Sequence, residues 1–166
     1  MEQIEVYIEK CREGVEIPAY ANINDAGMDV RAAEDMIINP GETVIVPTGL
    51  KVAIPAGFEI QIRPRSGISA KNPLRVPNTP GTIDAGYRDE VGIIMTNISE
   101  ESYKNEGPFS IGEKGNKKGV YKINKGDRIA QMVLQRVPMI KFVEVDDITK
   151  IEGNRGGGFG SSGIQK

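Results

Sequence analysis

The chain has 166 residues, 39% of them apolar and 27% charged, which suits one soluble domain with a buried core. A net charge of −2 gives no general pull toward nucleic acid or anionic lipid. One cysteine and no histidine exclude an internal disulfide, a multi-cysteine metal site, and every histidine-based triad or metal site.

Any proton transfer therefore falls to a carboxylate, a hydroxyl or the lone thiol of Cys11, and a bound cation would be a hard one held through oxygen. The N-terminus Met1-Glu2-Gln3-Ile4-Glu5 has neither a basic start nor a long apolar stretch. No apolar run approaches the ~18 residues of a spanning helix, so the chain reads as a cytoplasmic protein with no membrane partner.

Apolar–polar alternation dominates from the first residues. Ile4, Val6 and Ile8 alternate with Glu5, Tyr7 and Glu9. Strands are then expected near 29–33 and 43–47, at Leu50, Val52 and Ile54, and at Phe58, Ile60 and Ile62. A short helix is expected over 66–72. Further strands follow near 91–97, 119–123 and 128–137, and a last one where Ile140 and Phe142 precede Val143-Glu144-Val145. Turns fall at Asn39-Pro40-Gly41, Pro55-Ala56-Gly57 and Lys125-Gly126-Asp127.

With no long helical stripe, the fold class is all-β: a distorted jelly roll or β-clip type barrel. Residues 1–152 form one β-domain, in which 98–119, rich in Glu, Lys, Asn, Ser and Gly, reads as an exposed surface insertion or hairpin. Residues 153–166 form a flexible tail. Six of the eleven residues from 153 to 163 are glycine, which makes a stable strand or helix there costly in backbone entropy.

Several segments carry candidate chemistry. Asp25-Ala26-Gly27-Met28-Asp29 sets two carboxylates around a glycine before a strand; an acidic turn is the plainer reading. Arg65-Ser66-Gly67 opens the expected helix, where N–H groups, a hydroxyl and a guanidinium together suit an anion. Gly81-Thr82-Ile83-Asp84-Ala85-Gly86-Tyr87 is a turn-rich loop in which Asp84, flanked by Ile83 and Ala85, would be partly desolvated and oriented as a base. In Gly126-Asp127-Arg128-Ile129-Ala130-Gln131, Gln131 would share a mainly buried face with Ile129, its partner being backbone or a phosphate oxygen. The tail offers Arg155, Phe159, Gly160, Ser161 and Ser162 among glycines that let backbone N–H groups approach an anion.

In order, these five segments resemble the signature motifs of the trimeric dUTP diphosphatase (dUTPase) family, from Asp25 to Gly163. The resemblance implies hydrolysis of dUTP to dUMP and pyrophosphate by water attack at the α-phosphorus, with Mg²⁺ chelated by the triphosphate. It makes Asp84 the base and Asp29 an outer group that reaches the metal through water. It implies that Arg65, Ser66, Gly67 and Gln131 serve the phosphates, that Asn78 and Gly81 belong to the uracil-reading hairpin, and that Tyr87 packs on the deoxyribose and refuses a 2′-hydroxyl. In the tail, Arg155, Ser161 and Ser162 would hold the γ-phosphate with Gly160 among them, and Phe159 would stack on the base. Homotrimers with shared sites follow from the same resemblance. Two departures stand out: Arg155 lies four positions before Phe159 where the family commonly has five, and 98–119 is longer than the usual link.

Two other readings compete. A dCTP deaminase relative would need a glutamate in the strand after the third motif, where this chain has Val91-Gly92-Ile93-Ile94-Met95-Thr96-Asn97. A nucleotide-binding regulatory protein would engage a protein partner through 98–119.

Overall fold

The computed structural model describes residues 2–153 and residue 156. Arg155, Phe159, Gly160, Ser161 and Ser162 lie outside the described residues.

The regular structure of the described residues is mostly strand: β1 (Tyr7–Lys10), β2 (Met28–Arg31), β3 (Met36–Ile38), β4 (Thr43–Pro47), β5 (Leu50–Ala53) and β6 (Phe58–Pro64) come first. A single short helix α1 (Ser66–Lys71) follows, then β7 (Leu74–Arg75), β8 (Gly81–Ile83), β9 (Gly92–Asn97), β10 (Phe109–Ser110), β11 (Tyr121–Ile123) and β12 (Arg128–Arg136). They pair into four sheets: β1 with β5; β10–β11–β3; β2–β12–β6–β8; and β4–β9–β7. The architecture is the layered, jelly-roll-like one expected, but hydrogen bonding among the described strands does not close it into a barrel.

Alternation explains the layers. In β9, Ile93, Met95 and Asn97 point inward and are fully buried, while Gly92, Ile94 and Thr96 are half-buried. In β6, Ile60 and Ile62 meet Val30, Ile83 and Met132 in one apolar core. Burying each such side chain is worth roughly 1.5–3 kcal/mol.

Residues 98–119 are mostly exposed, but they form no hairpin of their own. After a 3-10 turn (Glu101–Tyr103), β10 runs parallel to β11, with Phe109 opposite Tyr121. Phe109 and Ile111 pack against the core, and the Phe109 and Tyr121 rings lie 5.8 Å apart. The buried Asn97 clasps the two ends of the segment. Its Nδ2 donates to the carbonyls of Ile38 (3.0 Å) and Gly119 (2.7 Å), and its Oδ1 accepts from the Ser99 N–H (3.0 Å). A buried amide with all these partners is a rigid fastener.

The strand expected at Ile140–Val145 is also absent. Among the described residues no strand pairs with it, and Met139 (95% exposed), Ile140, Phe142 (88%) and Val143 are exposed. No helix among the described residues is long and apolar enough to cross a membrane.

Candidate active site

Three of the expected site residues meet at one end of the sheet β2–β12–β6–β8. Asp29 on β2 accepts from the Arg65 Nε at 2.8 Å and from the Gln131 Nε2 at 3.4 Å through Oδ1, and from the Arg128 Nη1 at 3.2 Å through Oδ2. Arg65 follows the end of β6 and also donates from Nη1 to the Arg128 carbonyl at 3.2 Å. The Asp29 and Arg65 side chains keep 24% and 26% exposure, so this ion pair is only partly solvated and holds better than a free surface pair.

The local fold explains which side chains arrive there. Between Arg128 and Ala130 the register of β12 against β2 shifts by one residue: Arg128 faces Arg31, yet Ala130 faces Val30 and Gln131 faces Asp29. Ile129 is the extra residue, buried at 1% exposure. The shift reverses the alternation. It takes Gln131 off the face of Ile129, correcting the simple period-2 expectation, and puts Arg128 and Gln131 together on the face of Asp29. Arg128 is the residue that alternation alone misses.

Of the two acids around Gly27, Asp25 follows the plainer reading. Its Oδ2 accepts from the Asn22 N–H (2.9 Å) and Nδ2 (3.0 Å), closing a local turn. Ser66 and Gly67 begin α1, exposed beside the cluster. Arg65, Gly67, Lys71, Ser110, Asp127 and Arg128 line a cleft of ≈ 340 Å³ there, with three cations to one carboxylate. One wall comes from the 98–119 segment, tied to α1 by the Asn72 Nδ2 bond to the Ile111 carbonyl (3.2 Å) and the Asn116 N–H bond to the Lys71 carbonyl (2.9 Å).

The second group of expected residues sits elsewhere. Gly81 opens β8 against Ile62, and a Cβ added to it would come to 3.0 Å from the Asn78 amide, which would have to shift slightly to admit it. Asp84 follows Ile83, which faces Ile60. Asp84 is exposed, not partly desolvated: the tight turn that holds it, with the Tyr87 N–H on the Asp84 carbonyl at 3.0 Å, projects away from the core. Tyr87 is 37% exposed, and its hydroxyl donates to the Glu90 carbonyl at 2.8 Å.

The sheet keeps the two groups apart. Asp29 shares a row with Gln131 and Arg63, whereas Asp84 lies three strands across and four residues along. With ~3.3 Å per residue and ~4.8 Å per strand, their backbones are roughly 20 Å apart. Among the described residues, one chain does not bring the expected base to this cationic cleft.

A protein-family model described as dUTPase matches residues 13–107 and 106–163. A deoxyuridine 5'-triphosphate nucleotidohydrolase of Clostridium tetani is 42% identical over 164 residues, covering 98% of this chain and 99% of the relative. Among solved structures, a substituted form of the Staphylococcus bacteriophage 80alpha dUTPase with dUpNHpp superposes with a TM-score of 0.84 at 29% identity, covering 98% of this chain and 100% of that one. A substituted dUTPase from phage phi11 of S. aureus, in a structure detailing the coordination of a structural Mg(II) ion, gives a TM-score of 0.78 at 30% identity, covering 87% of this chain and 99% of that one. With a model that matches nearly the whole chain and a full-length relative at this identity, the chain belongs to the dUTPase family.

Proposed function

We propose that this chain hydrolyses dUTP to dUMP and pyrophosphate, with Asp84 orienting and deprotonating the water that attacks the α-phosphorus. The observation that carries this reading is the meeting of Asp29, Arg65 and Gln131, drawn from three separate motifs, in one hydrogen-bonded cluster beside a cationic cleft.

In this reading Arg65, Ser66, Gly67 and Gln131 hold the phosphates. Asp29 keeps the Arg65 fork aimed, and an aimed guanidinium loses less freedom when an anion arrives. Asn78 and the hairpin backbone around Gly81 read the uracil edge, and a cytosine there would leave buried polar groups unpaired. Tyr87 packs on the deoxyribose. Arg155, Phe159, Gly160, Ser161 and Ser162 close over the nucleotide and shed bulk water.

Mg²⁺ chelated by the triphosphate supplies charge neutralisation and fixes the phosphate chain. The donor set fits that arrangement. Among the described residues no cluster of three His, Cys, Asp or Glu could cage an ion. Asp29, with both oxygens already accepting from Arg65, Arg128 and Gln131, is suited to reach a metal through water rather than directly.

The active form is a homotrimer whose sites combine residues of different chains. Two features support this. The Asp29 cluster and Asp84 are too far apart within one chain to act on one triphosphate. The arm beyond β12 presents Met139, Ile140, Phe142 and Val143 to solvent, while an apolar groove of ≈ 240 Å³ lined by Val6, Ile8, Met28, Val52 and Leu134 lies open. A row this apolar is expected to be covered by another copy.

The test is pyrophosphate release from dUTP, dTTP, dCTP and UTP, with and without Mg²⁺. We expect Mg²⁺-dependent release from dUTP alone. Ammonia from dCTP, or equal release from all four nucleotides, would overturn the assignment.

A further inference from the structure

The hairpin that carries Asp84 and Tyr87 is anchored by a residue outside every motif. Its tip is tied internally: the Arg88 Nη1 donates to the carbonyls of Ala85 and Tyr87, each at 2.6 Å. Its foot is Glu90, and Glu90 bears directly on Tyr87, because the Tyr87 hydroxyl donates to the Glu90 carbonyl at 2.8 Å. The position of the ring therefore follows the position of the Glu90 backbone.

Glu90 is in turn held by its side chain. Its Oε1 accepts from the Gly49 N–H at 2.7 Å and from the Arg12 Nε at 2.8 Å, and its Oε2 accepts from the Arg12 Nη2 at 2.9 Å. This is a two-pronged guanidinium–carboxylate pair, which fixes orientation as well as distance. The remaining Arg12 Nη1 donates to Glu34 at 2.8 Å, so the guanidinium is itself braced. Gly49 has φ +69°, and a Cβ there would come within 2.4 Å of the Val15 Cγ2. The N–H that meets Glu90 is thus presented by a turn that only glycine can make. One residue on, the Val91 N–H donates to the Leu50 carbonyl at 2.8 Å, and the Val91 carbonyl accepts from the Thr48 hydroxyl at 2.6 Å.

We propose that Arg12 and Glu90 act as a positioning pair that sets the Tyr87 ring and thereby the preference for a deoxyribose over a ribose nucleotide. This rests on the reading of Tyr87 as the residue that packs on the sugar. Neither Arg12 nor Glu90 touches the substrate; both act through the Tyr87 hydroxyl. A ring displaced by a fraction of an ångström opens room at C2′, so the loss falls on selectivity more than on dUTP turnover.

The experiment measures kcat/KM for dUTP and UTP in Arg12→Ala, Arg12→Lys, Glu90→Gln, Tyr87→Phe and the double variant Arg12→Ala/Tyr87→Phe, with Tyr87→Ala as reference. We expect Arg12→Ala and Tyr87→Phe each to lower the dUTP-to-UTP ratio about three- to tenfold, the scale of one lost hydrogen bond. Arg12→Lys and Glu90→Gln should fall between these and the parent. The double variant should be no worse than either single one, because both changes cut the same connection. If Tyr87→Ala lowers the ratio and Arg12→Ala does not, or if the two losses multiply in the double variant, the positioning role is overturned. If Tyr87→Ala leaves the ratio unmoved, the sugar reading fails and takes the inference with it.

Discussion

Asp29 and Asp84 are both carboxylates expected at the site, and the chain treats them differently. Asp29 is three-quarters buried and gathers Arg128 and Gln131 from the neighbouring strand β12 and Arg65 from just past β6. Asp84 stands exposed at a turn held mainly by bonds within its own hairpin and by one ion pair at its foot. The difference teaches where each function is completed. The cationic cleft is assembled within one chain, and its Arg65 guanidinium is already aimed by Asp29. If Asp84 is the base, the proposed homotrimer is what would supply it with drier surroundings, since the side chain stands exposed in the single chain.

The largest expected effect breaks the comparison at Asp84. Replacing it by asparagine removes a proton acceptor and changes little else, since the side chain is exposed. Turnover should fall by roughly 10²–10⁴-fold, while melting temperature and dUTP affinity stay near those of the parent. Single-turnover kinetics beside equilibrium binding would show this split, and retained turnover would remove Asp84 from its role.

Separation of the two groups predicts complementation. Asp84→Asn and Arg65→Ala chains should each be nearly inactive alone. Refolded together, some sites would draw an intact Asp84 from one chain and an intact Arg65 from another. Random mixing would restore about a quarter of the sites, so activity near a quarter of the parent's is expected in the mixture. No recovery in demonstrably mixed oligomers would mean that both groups serve from the same chain.

Much of the scaffold is legible in the sequence because burial on one face imposes period 2. β4, β5, β6, β9 and β12 fall within a residue of the alternating runs, and α1 ends one residue short of its expected bound. The failures have physical causes. Alternation cannot see the register shift at Ile129, so it misplaces Gln131 and overlooks Arg128. It reads Ile140 and Phe142 as a strand patterned for burial, but no surface among the described residues covers them. Composition marks 98–119 as an exposed segment, and most of it is, but it does not reveal that Phe109 and Ile111 anchor it to the core. The motif residues of the Asp29 cluster could be chosen by resemblance, but their mutual contacts span up to 102 positions. Arg12 offered no signal at all, since its value lies in Glu90, 78 positions away.

The smallest effect concerns that ion pair and sharpens the contrast between the two regions. Burial pushes the Glu90 carboxyl up, but the Arg12 guanidinium and the Gly49 N–H together outweigh it and hold the group below its ordinary value of 4.5. Lys51 adds a weaker pull in the same direction, and Glu34 faces Arg12 from the other side. A carboxyl depressed in the folded state binds fewer protons there than in the unfolded chain, so its stabilisation is complete above 4.5 and is lost as pH falls through the folded value. Asp35, Glu113 and Asp147 are depressed as well, so acid sensitivity of the parent alone would not single out Glu90. The difference between the parent and Glu90→Gln does. At neutral pH the parent should be more stable by about 1 kcal/mol or less, as suits a partly exposed pair. That gap should close below the ordinary carboxylate range, and amide exchange in 84–90 should rise over the same interval. A gap that persists at low pH would mean that Glu90 braces the hairpin by shape and hydrogen bonding rather than by charge.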